Sequence, residues 1–301
     1  MRIGISVQSA YAVQDPRQGA RWMVERAAAA RRAGLDSLFV GDHHAVPIPY
    51  YQNSVILARM LAEWQGPAAG ALYLLPLWHP VLMAEQVATL AALTESRFIL
   101  QCAIGPDDNQ FAGFGIPAKQ RPSRFEQSLA IARKLWAGET VSHSGRYEIG
   151  QARISPLPPE PIEVWIGAFA EPAIGRAARL GDGFLASPHI TPDVARQQLR
   201  FYWECCDKHG RSRGTAAIRR DIYVGESAVE ADSTGGAVVR AGHRGFPAEA
   251  CVVGDPQAVA ASFLELEEIG YTDVIVRNLV ADQPKAVACI ERLADVKRSL
   301  S

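Results

Sequence analysis

Apolar positions along the chain come in two alternating patterns. Short, nearly continuous apolar runs occupy 3–7, 37–41, 70–75, 98–104, 163–168, 183–187, 217–224 and 273–277. Each is rich in branched or aromatic side chains, the composition of a β-strand. Because the runs are apolar at nearly every position, they predict strands covered on both faces, as in a parallel sheet. Between them lie helical patterns at 18–33, 80–93, 124–137, 171–180, 192–209, 256–269 and 283–298. Glycine or proline stands at most of their borders: Gly34, Gly138, Gly181, Gly210 and Gly270 at the ends, and Pro80 at a first turn. These residues end or open helices for steric reasons.

Eight strands alternating with helices fit a closed (β/α)₈ barrel or an open doubly wound sheet. No GxGxxG follows the first run, so the dinucleotide-binding version of the open sheet loses support. Eight strands in 301 residues favour the α/β class with a (β/α)₈ TIM barrel, read as one domain over 1–301. Three stretches interrupt the alternation. Residues 105–122 look loop-like. Residues 140–161 read as a hairpin followed by a stiff Pro-rich connector, PLPPEP. Residues 226–251 read either as a lid with a short helix at 237–241 or as an ordinary surface excursion. The first and third follow strands, which in a barrel places them at the active-site mouth.

Composition narrows the function. Hydrophobic residues make up 48% of the chain, and 32 acidic residues against 31 basic ones give a formal net charge of −1. A phosphate backbone calls for a basic face, so no nucleic-acid partner is expected. No apolar run reaches the ~20 residues that span a bilayer, and the N-terminus lacks the apolar stretch of a secretory signal. Five cysteines without CxxC spacing fit neither a disulfide framework nor a zinc site. They read as the reduced thiols of a cytoplasmic protein.

Four segments can carry chemistry. Gly41-Asp42-His43-His44 directly follows an apolar strand, which puts one or two histidines at the catalytic face. Histidine exchanges protons near neutral pH, although capping a strand end is an equal use for it. The other histidines are scattered without metal-ligand spacing. Leu75-Pro76-Leu77-Trp78-His79-Pro80 ends the third strand and is mainly architectural. The fourth strand ends in small residues that let a flat ring approach the backbone. Within it, Cys102 reads as a small buried hydrophobe and Arg97 as an ion-pair residue at the barrel bottom. In Trp165-Ile166-Gly167-Ala168-Phe169-Ala170-Glu171 a strand passes at once into a helix. Its free N–H groups can hold a phosphate, and a tight βα turn needs the same small residues.

These segments, in this order, resemble the bacterial luciferase-like monooxygenase family, the FMN- or F420-dependent oxidoreductases. The resemblance runs from RIGISV through AGLDSLFVGDHH, LLPLWHP, FGIPAKQRPSRFEQSLAIARKLWAGET and PIEVWIGAFAEPA to GYTDVIVR, nearly the whole chain. It implies a TIM-type barrel with the flavin ring at the strand C-termini. His43 matches the histidine near the ring's reactive edge, with Asp42 the acidic residue beside it. A bulge with a non-proline cis peptide is implied around Ala71 and Leu72. Gln101 to Ala103 lines the other side of the ring, and Gly167, Ala168, Phe169 and Ala170 match the phosphate turn. Two departures stand out: the turn has no Ser or Thr, and Ile104 stands where some relatives have arginine.

The function implied first is a two-component monooxygenase. It takes reduced FMN as cosubstrate from a separate flavin reductase, and O₂, and acts on a small organic substrate. The alternatives are F420-dependent hydride transfer and a barrel that binds a ligand without catalysis. Tyr50, Tyr51, Phe111, Phe114 and Phe246 suggest a partly aromatic pocket, or loops packed down by their own aromatics. Arg277 and Asn278, at the end of the last strand, reach either a polar ligand group or a rim salt bridge. Homodimerisation is implied by the resemblance alone.

Overall fold

The computed structural model describes residues 1–105 and 108–300. Its strands are β1 (Arg2–Val7), β2 (Ser37–Val40), β3 (Ala68–Leu74), β4 (Arg97–Ala103), β5 (Val141–His143), β6 (Ile149–Ala152), β7 (Glu163–Ala168), β8 (Gly183–Ala186), β9 (Thr215–Val224), β10 (Cys251–Gly254) and β11 (Asp273–Asn278). Parallel pairing runs β1-β2-β3-β4-β7-β8-β9-β11 and back to β1, so eight strands close into a barrel. All eight expected runs are barrel strands. The expected hairpin is β5–β6, an antiparallel pair outside the barrel. Short β10 was not expected; it pairs with the upper end of β9, from Cys251↔Asp221 to Gly254↔Val224.

Helices surround the barrel: α1 (Pro16–Arg32), α2 (Asn53–Leu61), α3 (Pro80–Ala92), α4 (Asp108–Gly113), α5 (Arg121–Trp136), α6 (Glu171–Leu180), α7 (Pro192–Lys208), α8 (Ala228–Ala231), α9 (Ala237–Arg240), α10 (Pro256–Ile269) and α11 (Gln283–Ser299). The most legible starts combine a side-chain cap with an early proline. Asp15, Thr191, Asp255 and Asp282 each accept a hydrogen bond from a backbone N–H of the first turn. Gly34 and Gly270 leave their helices with φ of 67° and 117°, the left-handed conformation expected of a helix-ending glycine. α2 starts without a side-chain cap and lies outside the expected helices. Among the described residues, no helix is long and apolar enough to cross a membrane.

The interrupting stretches are more ordered than their composition suggests. The loop-like 105–122 contains α4 and a 3₁₀ turn at Ala118–Gln120. Phe111 of α4 packs against Leu74 and Leu77 and holds the segment down. Residues 106 and 107 of that stretch lie outside the described residues. In 226–251 the expected short helix is α9, preceded by α8 and one π-helical turn.

Inward side chains stack in layers along the barrel axis. At the bottom Arg97 pairs with Glu163 at 3.2 Å and Arg2 with Asp273 at 2.6 Å, which is the place expected for Arg97. The middle is plugged by an apolar cluster that includes Phe39, Ile99, Trp165, Leu185, Ala217 and Ile275. Phe39 and Trp165 meet with ring centroids 5.6 Å apart. Glycine makes room for them: a Cβ on Gly70 would lie 2.0 Å from the Ile99 carbonyl oxygen and 2.8 Å from the Phe39 ring. The plug leaves only the C-terminal mouth open to a ligand. Cys102 is fully buried on the helix-facing side, the small hydrophobe expected, and burial pushes its thiol pKa up.

One expectation is overturned. β3 and β4 pair in unbroken register from Ala68↔Arg97 to Leu74↔Ala103. The one cis bond among the described residues is Ser155–Pro156, so no cis peptide lies at Ala71–Leu72. A regular ladder satisfies the backbone there, and nothing offsets the ~3–4 kcal/mol of a non-proline cis bond.

Two glycines test this packing. Gly70→Ala is expected to destabilise by about 1–3 kcal/mol, because the new methyl meets backbone. Gly175→Ala, in α6 with nothing within 4 Å of the added Cβ, is expected to stabilise by about 0.5–1 kcal/mol. Denaturant midpoints of the two variants should move in opposite directions.

Candidate active site

Two cavities open at the strand C-termini and meet at His43. Asp42, His43, Leu72 and Arg219 line both. One, of about 400 Å³, extends past Ser9 and Tyr50 to Arg244 and Arg277. The other, of about 450 Å³, runs over Ala103 and Gly105 to Gly167, Phe169 and Ala170, with Arg121 and Ser187 on its walls.

β2 delivers His43 to this junction. Gly41 comes first, and a Cβ there would sit 2.7 Å from the Tyr50 hydroxyl, so glycine lets Tyr50 close beside the histidine. The two rings meet edge to face at 5.4 Å. Gln110 of α4, 1% exposed, sets the state of His43. Its Oε1 accepts the His44 backbone N–H at 2.8 Å, which turns its Nε2 toward His43 Nδ1 at 3.2 Å. An amide N–H can only donate, so this pattern assigns Nδ1 as acceptor and leaves the proton on Nε2. Burial, the largest influence, lowers the His43 pKa and keeps the ring neutral at neutral pH. A neutral histidine presenting Nε2–H is a hydrogen-bond donor to a ligand oxygen.

Asp42 sits beside His43 in sequence but is bonded elsewhere. Its Oδ2 accepts the Leu74 backbone N–H at 2.7 Å and the Trp78 indole N–H at 2.9 Å. Its Oδ1 lies 3.0 Å from His44 Nε2. The carboxylate therefore ties β2 to the end of β3 and to the turn beyond it, and makes no hydrogen bond to His43. Its place is that of a positioning residue and not of the catalytic partner expected.

The other expected residues divide. Leu72, Ala103, Gly167, Ala168, Phe169 and Ala170 all line the larger cavity. Ala71 does not; strand alternation turns it outward, into the core beneath the helices. Gln101 points inward below the cavity floor, 3% exposed, and lines neither cavity; its Nε2 has no hydrogen-bond partner among the described residues. The floor of Ala103, Gly105, Gly167, Ala168 and Ala170 lets a flat ring approach the backbone, so the residues present fit a flavin or deazaflavin.

At the far end of that cavity α6 begins. Ala170 caps it without a side-chain bond, and Glu171 in the first turn opposes an anion. A cation lines the same cavity: Arg121, at the start of α5, donates to the Gly105 carbonyl at 3.0 Å and stands over the Phe111 ring, next to Ile104.

The expected aromatic pocket is not what forms. Among those residues Tyr50 alone lines either cavity. The Tyr51 hydroxyl donates to the Pro16 carbonyl. Phe111 is buried, Phe114 rests on His44, and Phe246 lies against His189 and under Arg244. The aromatics pack the loops down. Arg277 lines the smaller cavity, whereas Asn278 faces outward and donates to the Ala286 carbonyl at 3.3 Å. Gln110, Arg121, Arg219 and Arg244 were missed. For Arg219 a signal existed, because charges at 219, 220 and 221 interrupt an otherwise apolar strand.

The Gln110 contact predicts a pH response. As pH falls through the ordinary histidine range near ~6.5, the unfolded chain takes up a proton that the folded site resists, so stability falls. In Gln110→Glu, a carboxylate facing Nδ1 should raise the His43 pKa above that of the wild type. Histidine ¹⁵N shifts followed against pH give both pKa values and the tautomer. Equal pKa values in the two proteins would remove Gln110 from this role.

Comparison with known proteins agrees with this geometry. The family described as luciferase-like monooxygenase matches residues 1–241. An F420-dependent glucose-6-phosphate dehydrogenase of Beutenbergia cavernae is 33% identical over 172 residues, 52% of this chain and 50% of that protein. The chain thus spans about half the length of that relative. The oxygenating constituent of 3,6-diketocamphane monooxygenase from Pseudomonas putida, solved with FMN, superposes with a TM-score of 0.84 at 18% identity, covering 100% of this chain and 99% of that one. An F420-dependent secondary alcohol dehydrogenase superposes at 0.79 and 16% identity, with 100% and 99% covered. At these identities the two structures establish the fold. With the matching profile over most of its length, a closed (β/α)₈ barrel and the ordered motifs at its mouth, the chain belongs to the luciferase-like monooxygenase family of oxidoreductases.

Proposed function

We propose that this protein is an F420-dependent oxidoreductase. It would transfer hydride between the deazaflavin and the carbon of a polar alcohol or carbonyl substrate. The observation that carries this reading is the polar wall of the smaller cavity, where Arg219, Arg244, Arg277 and Tyr50 surround the space beside His43. Such a wall suits a hydroxylated substrate better than an apolar one. The F420-dependent relative supports the cofactor, and the small-residue floor of the larger cavity would receive its ring.

The bound cofactor supplies the hydride chemistry, and the protein supplies position and electrostatics. Gln110 holds the His43 ring, and Nε2–H is the nitrogen left for substrate oxygen. Negative charge gathers on that oxygen as hydride moves to or from its carbon. A fixed donor stabilises this charge in either direction, and the proton of the alcohol is exchanged with solvent at the open mouth. Leu72 and Leu74 exclude water from one wall, and Asp42 holds the strand end that carries Leu74. Arg121, Ser187 and the start of α6 would hold the cofactor's phosphate.

A second reading, a two-component monooxygenase taking reduced FMN from a separate reductase, has one feature in its favour. Leu72, Leu74, Ile104, Phe169 and Leu185 make the larger cavity mostly apolar, and oxygen chemistry needs a dry site. Anaerobic titration with F420, oxidised FMN and reduced FMN separates the two. The proposal expects F420 to bind more tightly than either flavin, and F420 absorbance to fall with a hydroxylated substrate. Binding of reduced FMN alone moves the assignment to oxygenation. His43→Ala should lower kcat by about 10²–10³-fold while changing F420 affinity only a few-fold. Full activity in that variant would dismiss His43 from the chemistry.

A further inference from the structure

The smaller cavity holds more positive charge than the protein neutralises. Arg219 on β9 and Arg277 on β11 both point into it from neighbouring strands. Neither side chain makes a hydrogen bond or ion pair with a described residue, and Arg219 Nε is sealed from water with no acceptor. Burial lowers both guanidinium pKa values, Arg219 to about 10, which still leaves it charged at neutral pH. A half-buried guanidinium that has no protein acceptor is costly, and natural structures rarely keep two side by side.

The nearby carboxylates are each engaged through Oδ2, and neither makes a hydrogen bond to Arg219 or Arg277. Asp221 Oδ2 receives His243 Nε2 at 2.8 Å and Arg244 Nη1 at 3.0 Å. Burial works to raise the Asp221 pKa, but the His243 hydrogen bond and the three arginines outweigh it and hold the carboxyl at about 2. Asp42, at the opposite corner, is occupied by Leu74 and Trp78. Three guanidiniums therefore face one carboxylate, Asp221, which already pairs with Arg244 and His243. Arg244 itself is held in place at a conformational cost. Arg244 has φ of 52°, left-handed for a non-glycine residue, between Gly242 at 83° and Gly245 at 69°. Such strain persists where the surroundings dictate it and is common at ligand clamps.

We propose that this arm is an oxyanion site. In it Arg219 and Arg277, joined by Arg244 from the 226–251 segment, hold a phosphate or carboxylate group of the substrate. The reacting carbon of the same molecule would lie at His43, at the junction of the cavities. Guanidiniums match oxyanions through paired N–H groups, and a water-poor site strengthens each contact. The substrate class follows: an anionic hydroxy or oxo compound. Its role as a hydride partner rests on the function proposed above; the binding of the anion does not.

The experiment is thermal unfolding of the full chain with inorganic phosphate, using sodium chloride at matched ionic strength as the control. At about a hundred times its dissociation constant, phosphate should raise the wild-type midpoint by about 5 °C. Arg277→Gln should lose that increment while its own midpoint stays level or rises, because an unpaired buried cation has been removed. Arg121→Gln should keep the increment. A wild-type midpoint that ignores phosphate overturns the site. So does an increment that survives in Arg277→Gln, or one lost only in Arg121→Gln, which would place the anion at the cofactor end. F420 titration of the same proteins distinguishes the two proposals. An Arg277-dependent phosphate effect without F420 binding upholds the oxyanion site and sinks hydride transfer. F420 binding with an Arg277-independent effect does the reverse.

Discussion

Closure of the parallel ladder is the constraint from which the other features follow. β11 pairs with both β9 and β1, so no strand edge of the barrel is left open and the register of each strand is locked to two neighbours. Locked register decides which residues face inward, because alternation leaves no freedom once one position is set. On β9 it turns Ala217 into the apolar plug and carries Arg219 and Asp221 to the mouth. On β4 it turns Arg97 to the floor, Ile99 to the plug and Gln101 just beneath the cavity. Gly70 belongs to the same logic, because the middle layer has room for Phe39 and Trp165 only if β3 contributes no side chain there.

The layers divide the work between stability and chemistry. Burying the aromatic and branched side chains of the plug contributes roughly 1.5–3 kcal/mol for each. The ring above works against folding: among the described residues Arg219 and Arg277 lack direct acceptors, the Gln101 amide is orphaned and Asp221 Oδ1 has no donor. Unpaired buried polar atoms also occur elsewhere, on Ser37, Gln86, Ser128 and Gln198, so it is their coincidence with open cavities that marks this end for a ligand. The same separation explains why Cys102, one residue from Gln101, is inert: it faces the helices and not the mouth.

The site depends on contacts between segments far apart in the chain. Asp42 grips the end of β3 and Trp78, which fixes where β2 ends and where His43 projects. α4 brings Gln110 to His43 across a sequence separation of 67 residues. The 226–251 segment brings His243 and Arg244 to Asp221. Each is a polar side chain reaching over a cavity wall, so small shifts in α4 or in that segment would change hydrogen bonding at the junction directly. α4 is held by the apolar packing of Phe111, and the 226–251 segment by these ion pairs together with the packing of Ala231, Val238 and Val239.

Strand number and chain length favoured a barrel over an open sheet, and the pairing of β11 with β1 decided it. Local pattern predicted all eight barrel strands, the hairpin, the short helix at 237–241, the ion pair of Arg97 and the place of His43. Each follows from rules that act over a few residues: apolar runs make buried strands, Asp-Pro and Thr-Pro open helices, and a histidine after a strand lies at the mouth. Short β10 and uncapped α2 escaped because four or nine residues without borders carry too little of that signal. The partner of His43, the true attachment of Asp42, the place of Arg121 and the arginine cluster were decided by tertiary structure. Their reason is geometric. Folding sets side by side residues such as Gln110 and His43, Arg121 and Gly105, or Arg219 and Arg277, and no periodicity along the chain encodes those distances.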